Sequence, residues 1–144
     1  EGIVQWQSGT YSNVRTGGDR ANVGKTNERP NVLRNPNLNA SDRTVDRWFD
    51  TSAFVLQPAF TFGNAGAYLV QDDGRQVFAL SIAKRFPIIE GHSLEVRGEF
   101  FNFLNHPNFG APGSGGYVLG TPGFGVISST TPARQIQFAL RYAF

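Results

Sequence analysis

The last ten residues of the chain alternate strictly between large apolar positions and small or polar ones. The apolar side carries Ile136, Phe138, Leu140, Tyr142 and Phe144. The other side carries Gln135, Gln137, Ala139, Arg141 and Ala143. A period of two predicts a β-strand over residues 134–144 rather than a helix. This length suits a membrane-spanning strand, which needs about 9–11 residues, better than a soluble strand, which usually has about 5–6.

Two further segments of similar length predict a hairpin. Residues 75–86 and 93–104 both alternate, and their apolar sides carry Phe78, Leu80, Ile82, Leu94, Val96, Phe100 and Leu104. Residues 87–92 lie between them and include Pro87 and Gly91, which favour a turn. A shorter strand is predicted at residues 2–7.

The polar side of segment 93–104 carries charges of alternating sign. Glu95, Arg97 and Glu99 follow one another at every second position. Side chains with this spacing share one face of a strand, so they predict a polar ladder of ion pairs. In a barrel such a ladder faces the lumen. Glu95 and Glu99 alone would resemble the paired carboxylates of a glycosidase, but the intervening Arg97 argues against that interpretation.

The connections between the strands differ greatly in length. Residues 8–74 and 105–132 form long stretches rich in Gly, Asn and Pro, whereas the turn at 87–92 is short. Outer-membrane barrels combine short periplasmic turns with long extracellular loops. The pattern therefore predicts an all-β fold, an antiparallel up-and-down meander that forms a piece of a transmembrane barrel. Its four predicted strands cover residues 2–7, 75–86, 93–104 and 134–144.

The longest predicted loop also contains apolar residues. Residues 44–50 predict a short helical turn, and residues 54–62 predict a second short element. Both are expected to pack on the loop itself.

Composition and charge exclude several kinds of functional site in the chain. It has no Cys, which excludes disulfides and thiolate metal sites. The net charge is only +2 and the arginines are dispersed, so no nucleic-acid-binding face is predicted. His92 and His106 lack a second ligand at metal-binding spacing. We expect no catalytic, cofactor-binding or metal-binding residues, and hence no enzyme activity.

Several stretches resemble one receptor family in order and spacing. Residues 46–54 and 58–66 resemble the last long loop of TonB-dependent receptors of the Oar-like, carboxypeptidase-regulatory-domain type, the acidobacterial type. Residues 99–110 resemble the penultimate strand and the loop that follows it in that family. Residues 134–144 are similar to its closing strand. The resemblance covers nearly the whole chain.

The resemblance implies energy-coupled uptake of a nutrient across the bacterial outer membrane. Receptors of this family are barrels of about 22 strands closed by an N-terminal plug. The chain, which begins at Glu1 without a signal peptide, would then be a C-terminal fragment of such a receptor. The implied partners are membrane lipid, the remaining barrel and plug, TonB through the missing N-terminal part, and the barrel-assembly machinery. The resemblance implies that this machinery recognises the aromatic closing strand through Phe138, Leu140, Tyr142 and Phe144. The alternative role of these four residues is contact with lipid alone.

A second function class fits the same alternation. A soluble β-sandwich would bind a carbohydrate or protein ligand through its long loops. The two hypotheses differ on the apolar strand face, which a sandwich must pack against a second sheet and a barrel exposes to lipid.

Overall fold

The computed structural model describes residues 1–113 and 115–144. Its ten strands are β1 (Gly2–Gln7), β2 (Tyr11–Ser12), β3 (Arg15–Thr16), β4 (Asn31–Val32), β5 (Phe54–Val55), β6 (Val70–Gln71), β7 (Arg75–Ile89), β8 (His92–Phe101), β9 (Val118–Leu119) and β10 (Gln135–Ala143). Two short 3-10 helices cover Ala40–Asp42 and Thr51–Ala53. In the described residues, no helix has the length and apolarity to span a membrane.

The four longest strands form one antiparallel sheet in the order β1-β7-β8-β10. The predicted all-β antiparallel fold is confirmed. We call this sheet the wall. It belongs to a compact unit that contains residues 1–7, 75–108 and 131–144. The described part of this unit has no second sheet against the wall, so the soluble sandwich is not the fold observed.

The hairpin between β7 and β8 is tighter than the sequence predicts. The turn was expected at residues 87–92, but it contains only Glu90 and Gly91. Gly91 has a φ of 78°, a left-handed conformation that glycine adopts without steric cost. Pro87 lies inside β7, where the pairing register shifts between Pro87 and Ile89. Such an irregularity is one of the few places in a sheet that tolerates proline.

Strand β8 ends earlier than predicted, at Phe101 instead of residue 104. The next residue, Asn102, has a φ of 50°, and asparagine visits this left-handed region more readily than most residues. Its side chain exchanges two hydrogen bonds with the backbone of His106, both 3.0 Å long. The strand therefore ends where an asparagine closes a local loop.

The long connections form a compact unit of their own, which we call the loop unit. It contains residues 8–74 and 109–130. Its apolar core consists of Val14, Trp48, Phe49, Ala53, Phe54, Val70 and Ile127. The prediction of a helical turn at 44–50 was wrong, because Thr44 and Arg47 form an isolated β-bridge there. Trp48, Phe49 and Phe54 do pack within the loop unit, as expected.

Candidate membrane-spanning wall and its loop unit

The strand register gives the wall one apolar face. Residues paired across an antiparallel sheet project to the same side, so each row of partners shares a face. One row joins Ile82, Gly98 and Phe138. The apolar face carries Val4, Trp6, Phe78, Leu80, Ile82, Phe86, Leu94, Val96, Phe100, Ile136, Phe138, Leu140 and Tyr142.

Apolar side chains on this face are exposed to a degree that water does not favour. Phe138 is 75% exposed and Leu140 is 70% exposed. Phe138 also packs edge-on against Phe100, with ring centroids 6.2 Å apart. Gly98 lies beneath it, and a Cβ at Gly98 would meet the Phe138 ring at 3.4 Å. A continuous apolar surface of this kind marks a contact with another apolar phase.

Aromatic residues bound the apolar face at two levels, which we call the upper and the lower aromatic row. The upper row has a single aromatic residue, Trp6, which is paired with Gln76. Phe86 pairs with Leu94, and Leu94 with Tyr142, in the lower row. The two rows are about ten residues apart along β7, which spans roughly 25 Å for a strand tilted by about 40°. That distance equals the height of the apolar band between the aromatic girdles of outer-membrane barrels, about 25 Å.

The opposite face of the wall is charged. Glu95 accepts hydrogen bonds from Arg85 at 3.2 Å and from Arg97 at 3.1 Å. Arg97 also reaches Glu99, with 3.7 Å between nitrogen and oxygen. The structure therefore joins Glu95, Arg97 and Glu99 in a ladder, and it adds Arg85 from the neighbouring strand. Sequence reasoning missed Arg85, although its position on the polar side of β7 was available. The lumen-facing role of the ladder stays a prediction.

Strand β10 is tied to the start of β8. The hydroxyl of Tyr142 lies 2.6 Å from Nδ1 of His92, and the two rings stack with centroids 5.7 Å apart. Tyr142 also approaches Phe144, at 6.1 Å between centroids. The sequence indicated His92 only as a turn residue. Phe144 is 92% exposed, and its predicted role in barrel assembly stays a prediction.

The loop unit contains a buried carboxylate, Asp72, that accepts hydrogen bonds from three hydroxyl groups. Asp72 is 6% exposed, and its Oδ2 accepts hydrogen bonds from Thr10 at 2.9 Å and Ser12 at 2.8 Å. Its Oδ1 accepts a hydrogen bond from the hydroxyl of Tyr117. Burial, reinforced by Asp72, raises the pKa of Tyr117 above its usual range. Two distant segments of the loop unit, at residues 10–12 and at Tyr117, therefore converge on Asp72.

A second buried carboxylate, Glu28, lies elsewhere in the loop unit. Glu28 accepts hydrogen bonds from the backbone N–H groups of Arg20 at 2.9 Å and Ala21 at 3.0 Å. It also accepts one from Nε2 of Gln57 at 2.9 Å. Gln57 is completely buried. These bonds join Glu28 to residues 20–21 and to Gln57, so Glu28 acts as a structural clamp. In the described residues, no cluster of three or more His, Asp or Glu side chains is placed to bind a metal ion.

Asp50 gives the loop unit a predicted pH dependence. Hydrogen bonds from Ser52 and then from Arg34 hold the pKa of Asp50 below its usual value of 3.8. Its contribution to stability is therefore present above about pH 4 and is lost as the pH falls through the lower folded value. We expect Asp50→Asn to lower the free energy of unfolding by about 1 kcal/mol at pH 7 and to flatten the decline below pH 4. Thermal melts followed by near-ultraviolet circular dichroism between pH 3 and 7 measure both effects. An unchanged acid limb in the variant would contradict the assignment.

An antiparallel sheet of membrane-spanning length, with one apolar face bounded by aromatic rows and one charged face, defines the wall of a transmembrane β-barrel. The family described as "Outer membrane beta barrel domain" matches residues 1–137. The chain belongs to this family, and its location is the bacterial outer membrane. Neither a curated protein nor a solved structure matches it.

Proposed function

We propose that the chain is the C-terminal part of a TonB-dependent receptor that takes up a nutrient, and that it contributes barrel wall, extracellular loops and the closing strand. The observation that carries the proposal is the loop unit. Its long connections fold around a buried core and two buried carboxylates, which gives the proposed extracellular side an ordered surface for a ligand. The resemblance of residues 46–66 to the last long loop of such receptors supports the same proposal.

In the proposed orientation the Glu90–Gly91 turn lies in the periplasm and the loop unit lies outside the cell. The apolar face of the wall contacts lipid, and the ladder of Arg85, Glu95, Arg97 and Glu99 faces the lumen and plug. Strands β1 and β10 form the two edges of the described sheet. Unpaired edges expose backbone donors and acceptors, so each is expected to pair with a further strand of the barrel.

The proposed role is transport rather than catalysis, and the closing strand serves assembly. Phe138, Leu140, Tyr142 and Phe144 would be read by the barrel-assembly machinery before they become lipid contacts. The proposed ligand path runs through the barrel, with TonB supplying energy from the periplasmic side.

Two measurements on the complete receptor, with the N-terminal plug and TonB-contacting part that the proposal implies, test it in purified outer membranes. A TonB-dependent receptor is expected to retain the purified periplasmic domain of TonB in a pull-down experiment. It is also expected to give no steady conductance in a planar bilayer bathed in potassium chloride, since a plug fills the lumen. A stable open channel that ignores TonB would contradict the proposal and indicate a porin.

A further inference from the structure

Lys84 occupies an exceptional position in the wall. Its cross-strand partner is Val96, whose partner in turn is Leu140, so Lys84 lies in an otherwise apolar row. Among the described residues of the four long strands, it is the only charged side chain that the register assigns to the apolar face. The other charged residues of that central region, including Arg85, lie on the opposite face.

The described residues supply Lys84 with a ring but with no anion. Its ammonium group lies 5.1 Å from the centroid of the Phe86 ring. The ion pairs of the wall join Arg85, Arg97, Glu95 and Glu99 on the charged face, and none includes Lys84. A cation–π contact orients the ammonium but leaves its charge uncompensated. A ligand of negative charge would complete the site.

The height of Lys84 in the wall indicates which anion is within reach. Lys84 is one row inside the lower aromatic row of Phe86 and Tyr142, a difference in depth of about 5 Å. The cost of a lysine on the lipid face falls steeply from the middle of the bilayer to its interfaces. A lysine at this depth extends its apolar stem along the surface and brings its ammonium to the headgroups. At that level the abundant anionic group is a lipid phosphate.

We propose that Lys84, held on the Phe86 ring, binds the phosphate of a phospholipid in the leaflet beside the Glu90–Gly91 turn. The inference rests on the lipid-facing assignment of the apolar face made under the proposed function. Tyr142 lies in the adjacent row and contributes an amphipathic ring at the same interface. The site anchors the β7–β8 hairpin at one depth in the membrane.

A lipid titration of the complete receptor that contains this chain, in maltoside detergent, tests the phosphate contact. Native mass spectrometry with added dioleoylphosphatidylglycerol measures the apparent affinity. We expect Lys84→Gln to weaken binding about fivefold, the usual effect of one basic residue at an anionic membrane surface. Lys84→Arg should retain binding. Lys25→Gln, which removes the chain's other lysine from the loop unit, is the matched control and should leave the affinity unchanged. Far-ultraviolet circular dichroism verifies that each variant is folded.

Three results would overturn the inference. The first is equal affinity of wild type and Lys84→Gln for phosphatidylglycerol. The second is equally tight binding of dioleoylglycerol, which lacks phosphate, because contact with the acyl chains would then suffice. The third is a Lys84-dependent preference for lipopolysaccharide over phospholipid, which would place the turn in the outer leaflet.

A fluorophore on Lys84→Cys separates failure of this site from failure of the proposed wall. Quenching by brominated lipids is expected if position 84 faces lipid. Quenching together with equal lipid affinities would reject only the phosphate contact. Absence of quenching would reject the lipid-facing assignment and the inference with it.

Discussion

Phe49→Ala is expected to destabilise the loop unit by about 3–5 kcal/mol, the usual cost of removing a fully buried phenylalanine. Phe49 is 1% exposed and packs against three rings. Its centroid lies 5.2 Å from that of Phe124, 5.9 Å from that of Phe54 and 6.4 Å from that of Tyr117. The remaining core is small, so little surrounding structure is available to fill the cavity.

The expected result is a local loss of order, because the wall has its own hydrogen-bonded ladder. Trypsin should cleave the loop unit at Arg43 and Arg47 much faster in the variant, and hydrogen exchange should accelerate at β3 and β5. Phe60→Ala is the matched control, since Phe60 belongs to the same unit but is 76% exposed. Its effect should stay within about 0.5 kcal/mol. Equal cleavage rates in Phe49→Ala and wild type would show that the core does not hold the loops.

The strands of the wall were predictable from the sequence because each strand is specified by the pattern of its own neighbouring residues. Each strand repeats every second residue, and a period of two fixes both the element and its faces. The faces of β7, β8 and β10 follow from that repeat alone. The position of the turn did not follow, because Pro87 and Gly91 are both turn formers and only the pairing shows which one the chain uses.

The loop unit was not predictable because its contacts join segments far apart in the chain. Strand β3 pairs in parallel with β9, so Arg15 is opposite Val118. Nothing local in the sequence distinguishes Asp72 and Glu28 from other loop carboxylates. Their hydrogen-bond donors are brought together only by the fold. The close packing at Gly63 was equally unpredictable, since a Cβ there would collide with the backbone of Arg29 and Pro30. Nothing periodic in the sequence marks such an approach.

Phe138→Arg is the strongest test of the wall. Its row, with Ile82 and Gly98, lies close to the middle of the band between the upper and lower aromatic rows. An arginine on the lipid face at the midplane of a barrel costs about 2–4 kcal/mol, and the cost falls towards the interfaces. We therefore expect Phe138→Arg to reduce the free energy of unfolding by about that amount, and Leu140→Arg to cost less.

Gln137→Arg supplies the matched control, because it places the same charge one residue away on the other face. Gln137 is paired with Glu99, so the new arginine would meet a carboxylate instead of lipid. Guanidinium titrations of the complete receptor in phospholipid vesicles measure all three variants against wild type. If Gln137→Arg cost as much as Phe138→Arg, the two faces would share one environment and the barrel wall would be wrong. The expected result is a large cost for Phe138→Arg, a smaller cost for Leu140→Arg and little cost for Gln137→Arg. This order requires lipid on the apolar face and a polar environment on the charged one.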